Sequence, residues 1–400
     1  CTNPNNLGVN VIFPRLAADI LQRSAEQYPV VTLVGPRQAG KTTLTRSVFP
    51  NMPYVNLEDP DVLAYATYDP RGFLSQFPQG GIIDEIQNAP KLLSFIQVIV
   101  DEKKKNGLFI LTGSQQLELG EAVSQSLAGR TALITLLSLS ISELAAEKIN
   151  LDLDDYLLRG FLPRVYAQNL EPRAAYRNYV KTYLERDVRK LTKVHDLLLF
   201  QKFLRLCAAR VGSVFNQENL GNEVGVSATT INHWLAILEA SYLIFRIQPY
   251  FENFGKRVIK SPKIYFFDVG LVSYLLDIET KTQMSRDPLR GNLVENLIVL
   301  ELIKARLNRG LEPNLYFFRD NHGNEIDLIY KKAHELIPIE IKSAQSFDRS
   351  FIKKLIYFRE LAGERVPTGY LVYSGDLSYQ VDGFQLMNYR NVSSIIGGDE

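Results

Sequence analysis

The densest chemistry in the chain lies in eight consecutive residues, Gly35-Pro36-Arg37-Gln38-Ala39-Gly40-Lys41-Thr42. Their spacing, Gly-x4-Gly-Lys-Thr, suits a loop that wraps phosphate. Glycines let the backbone turn tightly so that its N–H groups converge on phosphate oxygens, and the N-terminus of the following helix adds partial positive charge. Lys41 is expected to reach the β- and γ-phosphates, and the Thr42 hydroxyl to ligate Mg²⁺, with Thr43 completing the contact set. At average residue usage the four fixed positions recur by chance in roughly one chain of this length in seventy. A strand before the loop and a helix after it make an accident rarer still.

Those flanking elements are legible. Val30-Val31-Thr32-Leu33-Val34 is a β-branched apolar run that reads as a buried strand, and Leu44 and Val48, four apart, open a helix pattern. A second strand, Gly80-Gly81-Ile82-Ile83, runs into Asp84-Glu85. Asp84 is the candidate for the Mg²⁺ shell, and Glu85 for orienting or deprotonating an attacking water. A third strand, Leu108-Phe109-Ile110-Leu111-Thr112, ends in Gly113-Ser114. Ser114 is the first choice for a polar contact to the γ-phosphate or the water, Thr112 the reserve, and an ordinary Gly-Ser turn the alternative. Arg130, after Ser126-Leu127-Ala128-Gly129, reads either as an arginine finger offered to a neighbouring copy in a homo-oligomer or as a surface arginine. ATP with Mg²⁺ is the ligand these residues imply.

Residues 30–144 resemble an AAA+-type P-loop ATPase module. Tyr54-Val55-Asn56-Leu57-Glu58-Asp59-Pro60, Ile110-Leu111-Thr112-Gly113-Ser114 and Leu127-Ala128-Gly129-Arg130 sharpen the match. They resemble a bacterial and archaeal family of predicted ATPases with a conserved C-terminal domain of unknown function, a likeness that extends through Tyr183-Leu184-Glu185-Arg186-Asp187-Val188. The resemblance covers nearly the whole chain and implies the nucleotide chemistry without a cellular role.

Beyond Leu144 helical patterns dominate, as in the lid that follows an AAA+ core. Within them Gly160-Phe161-Leu162-Pro163-Arg164 is a turn whose arginine is a candidate nucleotide sensor, or a plain lid-surface residue. Residues 220–235 then read as helix-turn-helix: Leu220 and Val224 share a face, Gly225 turns the chain, and Ser227 caps a helix with Ile231, Leu235 and Leu238 in its stripe. A strand at residues 242–247 suggests a winged helix. If this module meets DNA, Thr229, Thr230, Asn232 and His233 face it, and the basic run 255–263 contacts phosphates. A packing or protein-contact module is the competing reading, because the second helix carries no Arg or Lys.

The last segment holds a second constellation. Glu295 sits in a helix pattern, Asp327 in Glu325-Ile326-Asp327-Leu328-Ile329-Tyr330, and Glu340 and Lys342 in Leu336-Ile337-Pro338-Ile339-Glu340-Ile341-Lys342. Strand alternation gives Glu340 and Lys342 one face, and a hairpin through residues 331–335 is expected to bring Asp327 beside Glu340. Two carboxylates suit a divalent metal, and the lysine suits activating water or stabilising transition-state charge. The triplet alone is weak, since about two or three such triplets arise by composition; Asp101-Glu102-Lys103 is one, at a solvated helix end. In its setting the set resembles PD-(D/E)xK, or restriction-endonuclease-like, nucleases. That resemblance assigns Glu295, Asp327, Glu340 and Lys342 to the catalytic positions, with Asp327 and Glu340 as metal ligands. Ile326 stands where that family often has proline. An inactive relative of the nucleases is the alternative.

The expected fold is therefore α/β: an AAA+ P-loop NTPase core (1–145), a helical lid (146–198), a winged-helix middle domain (199–285) and an α/β restriction-endonuclease-like C-terminal domain (286–400). The expected function is ATP binding and hydrolysis coupled to DNA binding or processing. A nucleotide-dependent switch or protein-interaction module with an inactive nuclease-like domain is the alternative, and a small-molecule phosphotransferase fits less well. Bulk charge does not decide, since 45 Lys and Arg face 44 Asp and Glu. No apolar stretch approaches a membrane span. The two cysteines, Cys1 and Cys207, are far apart with no CxxC, which suits a reducing cytoplasm. The opening Cys1 is expected to mark a partial or processed sequence, with a lipidated terminus as the alternative.

Overall fold

The structure, a computed structural model, describes residues 12–114, 126–184, 197–251 and 261–397. Five short strands build the first sheet: β1 (Val30–Val34), β2 (Tyr54–Asn56), β3 (Gly81–Asp84), β4 (Phe109–Gly113) and β5 (Thr131–Thr135). All pairs are parallel, in the order β2-β3-β4-β1-β5. β1, β3 and β4 are buried along their whole length, as their unbroken apolar runs require of strands covered on both faces. Val31, Leu33, Ile82 and Ile110 pack on one side with Leu21 and Ala25 of helix Ala18–Gln27. Val30, Val34, Ile83 and Leu111 pack on the other with helix Leu92–Lys103. Because β4 lies between β3 and β1, the tips that carry Asp84, Ser114 and Gly35 are neighbours.

Among the described residues the middle of the chain is helical up to β6 (Ile244–Ile247), which pairs antiparallel with β7 (Lys263–Phe266). Helices Gln217–Val224 and Ala228–Ala240 flank a tight turn. Gly225 takes φ +95°, a left-handed conformation that favours glycine, and the Ser227 hydroxyl accepts the Thr230 N–H at 3.1 Å. Two helices and a glycine turn thus stand where the sequence suggested a helix–turn–helix, followed by the antiparallel pair β6–β7. Thr229, Asn232 and His233 are exposed and Thr230 is half-buried; Asn232 already accepts a hydrogen bond from Gln217 at 2.8 Å. Most of the basic run, residues 255–260, lies outside the described residues, as do residues 185–188 of the family phrase.

The second sheet, in order β12-β13-β11-β10-β9-β8, is mixed. Its strands are β8 (Leu315–Arg319), β9 (Glu325–Lys332), β10 (Glu335–Ile341), β11 (Tyr370–Tyr373), β12 (Gln380–Val381) and β13 (Phe384–Asn388). β9 and β10 form the expected hairpin. The backbone after β6 runs beside β8, where the Tyr250 N–H donates to the Phe317 carbonyl at 2.7 Å and the Phe317 N–H donates to the Gln248 carbonyl at 3.2 Å.

One apolar core runs from the first sheet through the middle helices into helix Arg290–Leu307, and includes Leu137, Phe161, Trp234, Tyr265 and Leu297. The joint is polar as well as apolar. Glu301 accepts the Ile141 N–H at 2.8 Å, at the start of helix Ile141–Ala146, and the Lys304 ammonium donates to the Leu139 carbonyl at 2.6 Å and to Glu301 at 2.9 Å. Both side chains are about 2 % exposed or less. A buried pair that loses one partner leaves an uncompensated charge. Lys304→Met is therefore expected to cost roughly 3–5 kcal/mol. Adding Glu301→Gln should recover part of that loss, read as midpoints of urea unfolding.

Candidate functional site

The cradle is built by local necessity. Gly35 adopts φ +146°, and a Cβ there would come 2.0 Å from the Leu136 carbonyl oxygen, so the turn after β5 presses directly on the loop. Gly40 takes φ +93° and Gln38 φ +62°, after which helix Lys41–Val48 begins. The Lys41 ammonium folds back over the loop and donates to the carbonyls of Gly35 and Pro36, both at 2.9 Å. Burial lowers its pKa to about 8, against the raising effect of Glu85 and Asp84. The Thr42 hydroxyl donates to Asp84 Oδ2 at 2.8 Å. That contact puts a hydroxyl and a carboxylate, hard oxygen donors suited to Mg²⁺, at one point. Thr42 and Asp84 thus fit the metal the sequence implies.

Asp84 is held by more than Thr42. The Tyr54 hydroxyl donates to the same Oδ2 at 2.9 Å, and the Thr112 hydroxyl donates to Oδ1. Burial and the neighbouring carboxylate push the Tyr54 phenol up, which keeps it a donor. Glu85 follows in a left-handed conformation, φ +56°, unusual for a residue with a side chain. Its Oε2 accepts from the Ser114 hydroxyl at 3.1 Å and from the Gln87 amide. The structure therefore brings together Lys41, Thr42, Asp84, Glu85 and Ser114. The reserve, Thr112, anchors Asp84 and accepts the Glu85 N–H at 3.2 Å, a positioning role.

The loop opens on a cleft of about 910 Å³ whose walls include Phe13, Arg37, Lys41, Tyr54, Glu85 and Arg164. Pro36 and Ala39 belong to the loop itself, with Ala39 fully buried, and Thr43 also faces the cleft. Arg164 reaches this wall from helix Pro163–Ala167, where it donates to Gln168 at 2.8 Å. Arg130 is a different case. It pairs with Asp101 of its own chain through two hydrogen bonds, at 2.6 and 2.9 Å, and both side chains are partly exposed.

Arg15 carries no signal in the sequence, because its partners are far along the chain. Its guanidinium donates to the loop carbonyl of Ala39 at 2.7 Å, to Leu137 at 2.7 Å and to Glu143 at 3.0 Å. Glu143 in turn accepts the Ser140 N–H at 2.8 Å in a capping box. The cradle, the turn after β5 and helix Ile141–Ala146 are thereby locked together.

The C-terminal set converges only in part. One pair beyond the last paired residues of β9 and β10, Glu340 falls opposite Asp327. Asp327 Oδ2 accepts the Ile341 N–H at 2.8 Å, and the Lys342 ammonium lies 2.5 Å from Glu340 and 3.8 Å from Asp327. Glu340 Oε2 is buried without a partner. Glu295 is engaged by β7: its Oε1 accepts from the Lys263 ammonium at 2.9 Å and from the Tyr265 hydroxyl at 2.6 Å, while Asp327 is near enough for its charge to act on the same carboxyl. Lys263 itself, expected in the phosphate-contacting basic run, is 1 % exposed. Burial pushes the Glu295 and Glu340 carboxyls up. Among the described residues no group of three or more His, Cys, Asp or Glu side chains is arranged to hold a metal, and no helix is long and apolar enough to cross a membrane. Cys207 is buried and free.

Comparison with known proteins agrees with the first of these two constellations. Residues 27–145 match the family model described as AAA domain, residues 150–282 a domain of unknown function (DUF8612), and residues 290–392 another (DUF4143). Residues 27–145 are thus an AAA-type P-loop domain. The chain is 33 % identical over 348 residues to the uncharacterized protein Rv2008c of Mycobacterium tuberculosis, covering 86 % of this chain and 77 % of that one. It belongs to the family of that mycobacterial protein. The uncharacterized protein MJ1637 of Methanocaldococcus jannaschii is 26 % identical over 210 residues, 51 % of this chain and 42 % of that one. Among solved structures, the Walker-type ATPase PABY2304 of Pyrococcus abyssi is 16 % identical, with TM-score 0.44 over 66 % of this chain and 96 % of that one. AMPPCP-bound DnaA from Aquifex aeolicus is 15 % identical, with TM-score 0.29 over 56 % of this chain and 86 % of that one.

Lys41 gives the site a pH signature. Burial brings the Lys41 ammonium down to about 8, and a phosphate beside it would favour the charged form. Nucleotide affinity should therefore weaken as pH rises above 8, by up to about tenfold per unit. Calorimetric titrations from pH 7 to 10 should follow that slope, and Lys41→Met should flatten it.

Proposed function

We propose that this protein binds ATP with Mg²⁺ in the cleft, hydrolyses it, and passes the nucleotide state to its C-terminal half. The observation that carries the reading is the 2.8 Å contact between Thr42 and Asp84 under the glycine cradle, with Glu85 in the same cleft wall. Loop N–H groups and Lys41 bind the phosphates, Thr42 and Asp84 hold the metal, and Glu85 orients or deprotonates water once it leaves Gln87 and Ser114. Bound Mg²⁺ supplies charge neutralisation on the phosphates. The output is a contact made or released by the middle and C-terminal units, with DNA as the partner expected from the helix–turn–helix.

A second reading gives the C-terminal unit metal-dependent nuclease chemistry of its own. It draws on Asp327, Glu340 and Lys342 meeting at one point, and on the unpartnered Glu340 Oε2. Lys263, Lys342 and Lys354 already pair with carboxylates there, which weighs against entry of a metal. Cleavage of plasmid by wild type in Mg²⁺ or Mn²⁺, abolished in Asp327→Ala and Lys342→Ala, would favour it.

For the first reading, Lys41→Ala should lose nucleotide binding. Glu85→Gln should bind ATP as wild type does while phosphate release falls roughly 10²–10⁴-fold, the usual range for removing a general base. Undiminished turnover by Glu85→Gln would take the base away from this position.

A further inference from the structure

Among the described residues five cationic side chains line the cleft: Arg15, Arg37, Lys41, Arg46 and Arg164. Arg15 and Lys41 donate to loop carbonyls, at 2.7 and 2.9 Å. The Arg46 guanidinium lies over the Tyr54 ring, 4.8 Å from its centroid, and Arg164 donates to Gln168 at 2.8 Å. Arg37 differs in where it reaches. It leaves the loop after β1, yet its Nη1 lies 3.9 Å from Oε1 of Glu58, which follows β2. β3 and β4 stand between β1 and β2 in the sheet. The pair therefore bridges the strand tips that carry Asp84, Glu85 and Ser114.

The far end of that bridge is fixed to the same place. The Leu57 N–H donates to the Asp84 carbonyl at 3.1 Å, and the Glu58 N–H donates to Asn56 Oδ1 at 2.9 Å. Arg37, Asp84 and Glu85 are all close enough for their charges to act on Lys41. The Arg37 side chain is 14 % exposed and that of Glu58 is 52 % exposed. An ion pair longer than a hydrogen bond, with one partner half in water, is weak. A triphosphate seated on Lys41 brings several negative charges beside Arg37 and competes with Glu58 for it. The guanidinium suits that exchange, because its planar fork of donors matches phosphate oxygens.

We propose that Arg37 is a catalytic residue, a cation that the phosphate loop supplies to the γ-phosphoryl group of its own chain's nucleotide, and that Glu58 holds it while the site is empty. The proposal rests on the ATP-hydrolysis reading above. As the water oxygen bonds to the γ-phosphorus, the bond from that phosphorus to the β–γ bridging oxygen breaks. Glu85 takes the water proton, and the bonding pair stays on the oxygen of ADP. Arg37 donates hydrogen bonds to the oxygens that gain charge and transfers no proton. One copy of the chain then carries the charge stabilisation for which Arg130 of a neighbouring copy is the alternative source.

The test compares turnover with binding in the full chain, using ATP and Mg²⁺. In Arg37→Ala, kcat and kcat/KM should fall together by roughly 10³-fold or more, with KM nearly unchanged. Arg37→Lys should recover only part of the loss, and it carries the same comparison if Arg37→Ala does not fold. Wild type should trap ADP with tetrafluoroaluminate, a planar mimic of the moving phosphoryl group, and Arg37→Ala should not. Both should retain ADP with trifluoroberyllate, the tetrahedral mimic of bound ATP. Glu58→Gln should lower KM, and an unchanged KM would overturn the restraint by Glu58. Arg37→Ala mixed with Glu85→Gln should stay silent; restored turnover would move the arginine to a neighbouring copy and overturn the proposal. A raised KM with unchanged kcat, or loss of the trifluoroberyllate complex, would make Arg37 a binding residue only and overturn it as well. Turnover lost in Glu85→Gln but kept in Arg37→Ala would remove this role and leave the ATPase reading standing. No turnover and no trapping by wild type would remove both.

Discussion

The turn over residues 136–141 is pressed from both sides, and the rest of the molecule hangs on that arrangement. On one side Arg15 ties it to the phosphate loop and to Glu143; on the other Glu301 and Lys304 reach in from the C-terminal helix. All four side chains are almost wholly removed from solvent. Buried ion pairs add little net stability when weighed against apolar replacements, but they penalise every arrangement that separates them. Here they fix the register between a nucleotide loop and a helix whose other end carries Glu295. A shift of the loop has no soft contact in which to dissipate before it meets that helix.

Such an arrangement gives physical content to a switch. The loop carbonyl of Ala39, the Arg15 guanidinium, the Glu143 capping box, the Ile141 N–H and the Glu301 carboxylate stand in series, joined by hydrogen bonds and by the backbone step from Ser140 to Ile141. At the far end, β7 presents Lys263 and Tyr265 to Glu295, while the Phe266 N–H donates to Asn296 on the same helix at 2.8 Å. The helix is therefore gripped by the first unit near its C-terminus and by the middle unit nearer its start. On the function proposed above, a movement at one grip would change the load on the other.

What the sequence made legible was whatever is local. The eight-residue cradle, the strand before it and the acidic pair closing β3 each complete their pattern within a few residues. So does the Ser227 cap with Gly225, and the β9–β10 hairpin with its alternating Glu340 and Lys342. What stayed hidden depends on distant partners. Arg15 is 128 positions from Glu143, and Lys263 is 32 from Glu295. Glu301 and Lys304 look like any exposed pair one turn apart until another part of the chain buries them. Lys263 shows the limit best: at the end of a basic run it reads as a phosphate contact, and only its surroundings turn it into an internal counter-ion. Arg130 is alike in this: its partner Asp101 stands 29 positions away, in a triplet that read as solvated surface and is exposed.

The strip of backbone beside β8 bears on how the chain can be divided. Gln248 and Tyr250 satisfy Phe317 from outside the third family region. A fragment starting at residue 290 would lack both that strip and Lys263. It would present a strand edge with the Phe317 N–H and carbonyl unpaired, beside carboxylates short of one counter-charge. Unpaired edges of that kind recruit other strands. The fragment would self-associate, and its inactivity would say nothing of the intact chain.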